Sequence, residues 1–156
     1  MNLYEPAEDS YLLAEAVKKH ASCRVLDMGT GSGIQALTAL KSSKVTTVAA
    51  ADINKECSKN LNKKIKFIHS NLFTRIPKQK FDTIIFNPPY LPQDKGISDI
   101  TLYGGKKGHE LSEEFLNTCN NHLSNKGIIL LLFSNLTGKD KIDDAVENNC
   151  LGKEFC

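Results

Sequence analysis

Apolar positions recur along this 156-residue chain at two spacings, and the switches between them outline its elements. Leu12, Leu13, Ala16 and Val17 fall at helical spacing, behind Pro6-Ala7-Glu8-Asp9 and ahead of Lys18 and Lys19. That pattern predicts an amphipathic helix of about three turns, with dipole-matched charge at each end. Cys23 to Met28 reads as a short strand, and Ile34, Leu37 and Leu40 put one apolar stripe on the helix that follows. Val45 to Ala51 predicts a second strand ending at Asp52, and Ile65 to His69 a third. Between them Lys55 to Leu61 can form a helix capped by Asn54. Thr83 to Phe86 is β-branched and aromatic, a buried fourth strand that Pro88 and Pro89 must end. Leu111, Phe115, Cys119 and Leu123 predict a helix closed by Lys126-Gly127, Ile128 to Phe133 a buried fifth strand, and Ile142, Ala145 and Val146 a short last helix.

Strand and helix alternate throughout, which predicts an α/β fold with a doubly wound, mainly parallel sheet. A single domain accommodates the whole length: an N-terminal helix segment (1–20), a half built around two glycine- and proline-marked turns (21–90), a loop (91–108) and a C-terminal half (109–156). The loop holds Pro92, Gly96, Gly104, Gly105 and Gly108, and it leaves the fourth strand directly, so a substrate-facing lid is expected there.

Composition narrows the class. Hydrophobic residues at 40% and charged residues at 24% are ordinary for a globular protein, and no apolar run has the length of a membrane span or a signal peptide, which points to the cytoplasm. A net charge of +2 is too small to imply nucleic-acid binding by itself. Five cysteines without a Cys-x-x-Cys pair suggest reduced thiols and no zinc knuckle; His69 has no metal-spaced partner, so no metal site is expected.

Two turns carry candidate chemistry. Gly29-Thr30-Gly31-Ser32-Gly33 follows the first strand, where glycines let the backbone approach a ligand. A dinucleotide fingerprint wants its third glycine one position later, where Ile34 stands, and Asp27 would repel a pyrophosphate. Asp27 suits a cationic ligand instead, such as an amino acid or a sulfonium; it could also simply hold loop amides. Asp52 is placed to accept from ribose hydroxyls, or to serve as an acid before a helix. Asn71 could read an adenine edge with Leu72 on its face, or form an ordinary turn. At the carboxyl end of the fourth strand, Asn87-Pro88-Pro89-Tyr90 is stiff and offers an amide side chain, free carbonyls and an aromatic face at fixed offset. Two acceptors gripping both hydrogens of a planar NH2, with a ring against its plane, would favour the pyramidal nitrogen that attacks carbon. A proline-rich turn capping a strand is the alternative.

The order Asp27 and glycine loop, Asp52, Asn71-Leu72, Asn87-Pro88-Pro89-Tyr90 resembles the class I, Rossmann-like S-adenosylmethionine-dependent methyltransferases. Tyr4-Glu5-Pro6-Ala7-Glu8-Asp9-Ser10-Tyr11-Leu12-Leu13 and Gly104-Gly105-Lys106-Lys107-Gly108-His109-Glu110 resemble the archaeal and eukaryal branch of HemK-like release-factor glutamine methyltransferases, with His109 where arginine is common. The resemblance implies S-adenosyl-L-methionine as cofactor. Ser10, Asp27 and Gly29 would hold its methionine part with Gly31 in the same cradle, Asp52 the ribose, and Asn71 and Leu72 the adenine, although relatives often carry aspartate at position 71. Asn87 and Pro88 would bind the substrate amide, with Pro89 in the same turn and Tyr90 against the amide plane; Asn87, Pro88 and Tyr90 are the implied catalytic residues. The implied substrate is the glutamine of the Gly-Gly-Gln motif in a class 1 translation termination factor. A small zinc-binding activator subunit is the implied partner, docking along the third strand. Relatives complete a seven-stranded sheet with a further strand pair; without it the strand Ile128 to Phe133 would be an edge, so a fragment, a minimal version or a covering partner is expected.

Three rivals share features of this reading. An adenine-N6 methyltransferase on nucleic acid uses the same Asn-Pro-Pro-Tyr turn, a lysine methyltransferase must first deprotonate its substrate, and a cofactor-binding module would lack turnover. A nicotinamide oxidoreductase is disfavoured by the glycine spacing and Asp27.

Overall fold

The computed structural model describes residues 6–90, 92, 104–136 and 138–153. The chain divides into two compact units, Met1–Asn87 with Asn121–Leu132, and Pro88–Asn120 with Phe133–Cys156. Tyr4 and Glu5, and all of the expected lid except Pro92 and Gly104 to Gly108, lie outside the described residues.

The first unit contains α1 (Glu8–His20), β1 (Cys23–Met28), α2 (Ile34–Leu40), β2 (Val45–Asp52), a 3-10 helix (Lys55–Asn60), β3 (Lys66–His69), β4 (Phe81–Phe86) and β5 (Leu123–Leu131). Its five strands run parallel in the order β3-β2-β1-β4-β5. The chain winds outward from β1 to β3, then returns across β1 to lay down β4 and β5. The switch point therefore falls between β1 and β4, and the doubly wound expectation holds. Leu13 and Val17 of α1 and Ala36 and Ala39 of α2 pack into one cluster with Val25, Val48, Ala50 and Ile85 of the sheet. Val17 is fully buried, which is worth about 2 kcal/mol.

Several elements differ from the sequence expectation, each for a packing reason. Leu12 does not join the buried stripe of α1; it is 69% exposed, and Ser10, Leu13, Ala14 and Val17 face inward. In α2 the deepest positions are Gln35, Ala36 and Ala39, while Leu37 and Leu40 pack less deeply around them. Small alanines let that helix lie close to the sheet. No helix joins β3 to β4 among the described residues, and the crossover from β2 to β3 has only the 3-10 helix, which Asn54 does cap by accepting from the Glu56 amide at 3.1 Å. Leu123 does not end a helix but opens β5, where it is the register partner of Phe81. The next partners are Thr83 and Ile128, so the Ser124 to Gly127 segment swells out as a bulge. Gly127 lies close to Leu123 there: a Cβ would stand 2.7 Å from the leucine Cδ1 and 3.0 Å from the Ser124 carbonyl oxygen.

At the amino ends of β1, β4 and β5, Asp82 accepts from the Arg24 amide and Nε, both at 3.1 Å, and from the Ser124 hydroxyl at 2.9 Å. These bonds hold the Asp82 carboxyl below the usual carboxylate range, although burial opposes them. They tie down the edge of the sheet opposite the glycine loop. His122 stacks on Phe73 with ring centroids 4.9 Å apart.

The second unit contains α3 (Glu110–Cys119) and α4 (Lys139–Asn148). Phe115, Leu116 and Cys119 of α3 are buried, as are Ile142 and Ala145 of α4. The helix ends are tied by Asn149, whose side-chain amide donates to Asn117 and whose carbonyl accepts from Asn120, both at 2.8 Å. Among the described residues no helix is long and apolar enough to cross a membrane, and no group of three His, Cys, Asp or Glu side chains could hold a metal ion.

Candidate active site

Strand register brings the chemistry to one edge. Met28 pairs with Ala51 on one side and Phe86 on the other, and Asp52 pairs with His69. The residues that leave these strands, Gly29, Asp52 to Asn54, Ser70 to Leu72 and Asn87, therefore emerge side by side at the carboxyl end of the sheet in the first unit.

The glycine loop is held by two carboxylates. Gly29, Gly31 and Gly33 take positive φ of 62, 51 and 84°, a backbone that side chains resist. Asp27 is 1% exposed, and its Oδ2 accepts from the Thr30 hydroxyl at 2.6 Å and the Ala36 amide at 3.0 Å. Burial pushes its carboxyl up to about 7, against the pull of those two hydrogen bonds, with nearby Asp52 adding a smaller push. Asp27 thus ties the loop, through the Thr30 hydroxyl, to the first turn of α2, through the Ala36 amide, instead of bonding loop amides. Asp52 accepts from the Gly31 amide through Oδ2 at 2.9 Å and from the Asn54 amide through Oδ1 at 2.8 Å. Both oxygens are oriented by backbone donors, and each keeps a lone pair for another hydroxyl. Burial, with the Asp52 charge second, pushes the neighbouring Cys57 thiol up to about 12, so it stays protonated and unreactive.

Leu72 is a non-glycine residue at φ 42°, 8% exposed. Ser70 holds it there: the hydroxyl donates to the Leu72 carbonyl at 2.8 Å and accepts from the Arg75 amide at 3.0 Å. A strained apolar residue pinned beside the acid of β2 is the kind of feature that ligand clamps carry. The Asn71 side chain is exposed, and its carbonyl accepts from Thr74, so the ordinary-turn alternative is present in the backbone. His69 is structural, its Nε2–H donating to the Ile53 carbonyl at 2.9 Å.

Ser10 enters through a residue that periodicity did not mark. Gln35, 3% exposed, donates from Nε2 to the Ser10 carbonyl at 2.9 Å, joining the first turn of α1 to the helix that leaves the glycine loop. An amide beside the apolar positions of a short helix was the available signal. Asn87 ends the first unit, and its Oδ1 is out of solvent and without a hydrogen-bond partner among the described residues. An acceptor left unpaired in that way costs about 1–3 kcal/mol, which a donor supplied by a ligand would recover. Pro88, buried, with Pro89 and Tyr90 half-buried, opens the second unit.

A sequence profile of the methyltransferase small domain matches residues 7–151. The chain belongs to that family. Among its relatives, MJ0928 of Methanocaldococcus jannaschii, provisionally named a protein N5-glutamine methyltransferase, is 36% identical over 88% of the chain and 75% of its own length. The release factor glutamine methyltransferase of Bacillus cereus is 30% identical over 74% of the chain, which spans only 48% of that protein. Among solved structures, the E. cuniculi Mtq2-Trm112 complex, responsible for methylation of the eRF1 termination factor, superposes with a TM-score of 0.74 at 26% identity, covering 95% of this chain and 84% of that one. The sheet described above is the Rossmann-like sheet of class I methyltransferases.

Proposed function

We propose that this methyltransferase transfers the methyl group of S-adenosylmethionine to the side-chain amide of the glutamine in the Gly-Gly-Gln motif of a class 1 release factor. The observation that carries the reading is Asn87: an amide oxygen out of solvent and without a partner among the described residues, at the carboxyl end of β4, next in register to the glycine loop after β1. The names and functions given to MJ0928, the Bacillus cereus enzyme and Mtq2 support the same substrate class.

The residues fit the cofactor. When bound, it supplies a sulfonium methyl group as electrophile. Gly29 and Gly31 leave room for the methionine part, with Ser10 and Asp27 at its rim. Asp52 accepts from the ribose hydroxyls, and Leu72 covers the adenine beside Asn71. Asn87 Oδ1 and the Pro88 carbonyl accept the two amide hydrogens of glutamine, and Tyr90 lies against the amide plane. This grip draws the nitrogen lone pair out of conjugation and aims it at the methyl carbon. With the cofactor bound, the C–N bond would form as the C–S bond breaks, the sulfur would leave as a neutral thioether with the bonding pair, and the nitrogen would give up one proton to solvent. Positioning and electrostatics supply the acceleration.

The proposed partner is a small zinc-binding subunit seated along the edge strand β3; that Mtq2 forms a complex with Trm112 supports a partner subunit. The cytoplasm, where termination factors work, is the proposed location. Mass spectrometry of a class 1 release factor incubated with cofactor, this chain and such a subunit tests the reading. The expected result is one added methyl on the Gly-Gly-Gln glutamine. Asn87→Ala should keep cofactor binding and lose roughly 100-fold or more in turnover. Full turnover by that variant would remove Asn87 from the role given to it.

A further inference from the structure

The sequence Gly104-Gly105-Lys106-Lys107-Gly108-His109-Glu110 lies outside the chemistry assigned above, yet it is built against the substrate turn. A Cβ placed on Gly104 would stand 2.4 Å from the Pro89 carbonyl oxygen and 2.3 Å from the Gly108 carbonyl oxygen. Both obstacles are backbone, so neither can swing away as a side chain would. Gly104 thus lies against the Pro89 carbonyl with no room for a side chain between them, all within the second unit.

The segment behind that contact is fixed in several independent ways. The Gly104 carbonyl accepts from the Leu111 amide in the first turn of α3 at 3.0 Å. The Glu110 carboxylate accepts from the Lys107 amide, at 3.0 Å through Oε1 and 3.2 Å through Oε2. Gly105 has φ of 118°, and a Cβ there would stand 2.5 Å from Glu110 Oε2. Gly108 has φ of 92°. The turn therefore closes on the start of α3, whose Phe115 and Cys119 are fully buried. Burial raises the Glu110 carboxyl, but backbone donors outweigh it and hold the group below its ordinary range, as expected for a carboxylate capping amides.

We propose that the 104–110 turn is a positioning strut for the substrate amide site, with Gly104 as its contact point and Glu110 as the acceptor that keeps it closed. This rests on the reading of Asn87 to Tyr90 given above. Of the two parts that meet at Gly104, the strut is bonded to α3, whereas the dipeptide Pro88-Pro89 lacks N–H groups that could anchor it. A side chain at 104 moves the Pro89 carbonyl by roughly 1 Å to regain contact distance. The carbonyl and ring that grip the substrate move with it, and a misplacement of that size costs roughly 100-fold in a reaction that depends on alignment. The cofactor cradle, from Asp27 to Leu72, is not part of this contact.

The test compares the wild-type chain with Gly104→Ala, Glu110→Ala and Glu110→Gln, each with its partner subunit. The readouts are kcat and KM on the release factor, cofactor affinity by calorimetry, and the NMR signals of the Tyr90 amide and the Asn87 side-chain amide. Gly104→Ala should lower kcat roughly 30- to 100-fold, leave cofactor affinity within about twofold, and shift the Tyr90 signal. Glu110→Ala should lower kcat less, and Glu110→Gln, which keeps an acceptor for Lys107, should recover most of it. Unchanged kcat and unchanged Tyr90 signals in a folded Gly104→Ala chain would overturn the strut. A wild-type chain inactive on the release factor would overturn the proposed substrate instead, and the NMR shifts would still decide the strut.

Discussion

Asp27 offers a test of how the glycine loop is held, because its stability contribution runs opposite to that of most carboxylates. Its carboxyl has an ordinary value of 3.8 and lies at about 7 in the folded chain, with burial as the main cause. The folded protein therefore binds this proton more tightly than the unfolded chain does. The associated stability is fully present below pH 3.8 and is lost as pH rises to about 7. Over the whole window the loss amounts to about 4 kcal/mol, and between pH 5 and 7.5 to about 2–3 kcal/mol. Asp27→Asn removes the titration while keeping an oxygen that can accept from Thr30 and Ala36. The perturbation is a pH series of urea and thermal unfolding on both proteins. Every other titrating group is common to the pair, so the difference between the two curves isolates position 27. The variant should gain on the wild type by about 2–3 kcal/mol from pH 5 to 7.5, or roughly 5–10 °C in melting temperature for a chain of this size. Parallel profiles would show that Asp27 ionises freely in the folded chain, and burial would then not govern it. On the proposed cofactor role of Asp27, cofactor affinity of the same variant should also fall, because the amide cannot supply the negative charge.

Two further substitutions test residues that act through their neighbours. Ser70→Ala removes both bonds that pin Leu72 in its left-handed backbone and should cost about 1–2 kcal/mol in unfolding, with a several-fold weaker cofactor; a retained Kd measured by calorimetry would separate Leu72 from the adenine. Gln35→Met keeps the volume but loses the bond to Ser10, and should cost about 1 kcal/mol while weakening cofactor binding more than it changes kcat; an unchanged Kd would leave Gln35 a packing residue only.

What was legible in the sequence is what the backbone alone demands. Three positive-φ glycines in five residues and two prolines after an apolar strand each impose a conformation locally, so the loop after β1 and the turn after β4 could be placed from residue types. Strand register then follows from the parallel pairing, and it delivers Asp52 and Asn87 to the same edge. Contacts made across the chain were not legible. Gln35 and Ser10 are 25 positions apart, and nothing in α2's periodicity says that its most buried polar side chain reaches α1. Leu123 kept the helical spacing of Leu111, Phe115 and Cys119 although the chain had already turned into β5, because an apolar residue satisfies either period at an element boundary. Leu12 sat next to Leu13 in the pattern, but the buried face of α1 runs through Ser10, Leu13, Ala14 and Val17, and Leu12 falls on its exposed side.

The same distinction explains how the candidate site is built. Four of the residues expected at the ligand are held by a second residue to which no ligand contact was assigned: Asp27 by Thr30, Leu72 by Ser70, Ser10 by Gln35, and the Pro89 peptide by the absence of a side chain at Gly104. The supporting residues are short or lack a side chain altogether, except Gln35, because they act at backbone contact distance. A glycine can support a neighbouring peptide only by leaving space, so its loss should show in catalytic alignment before it shows in the content of helix and strand. That ordering is why Gly104→Ala, with Tyr90 as the reporter, separates a strut from a spacer.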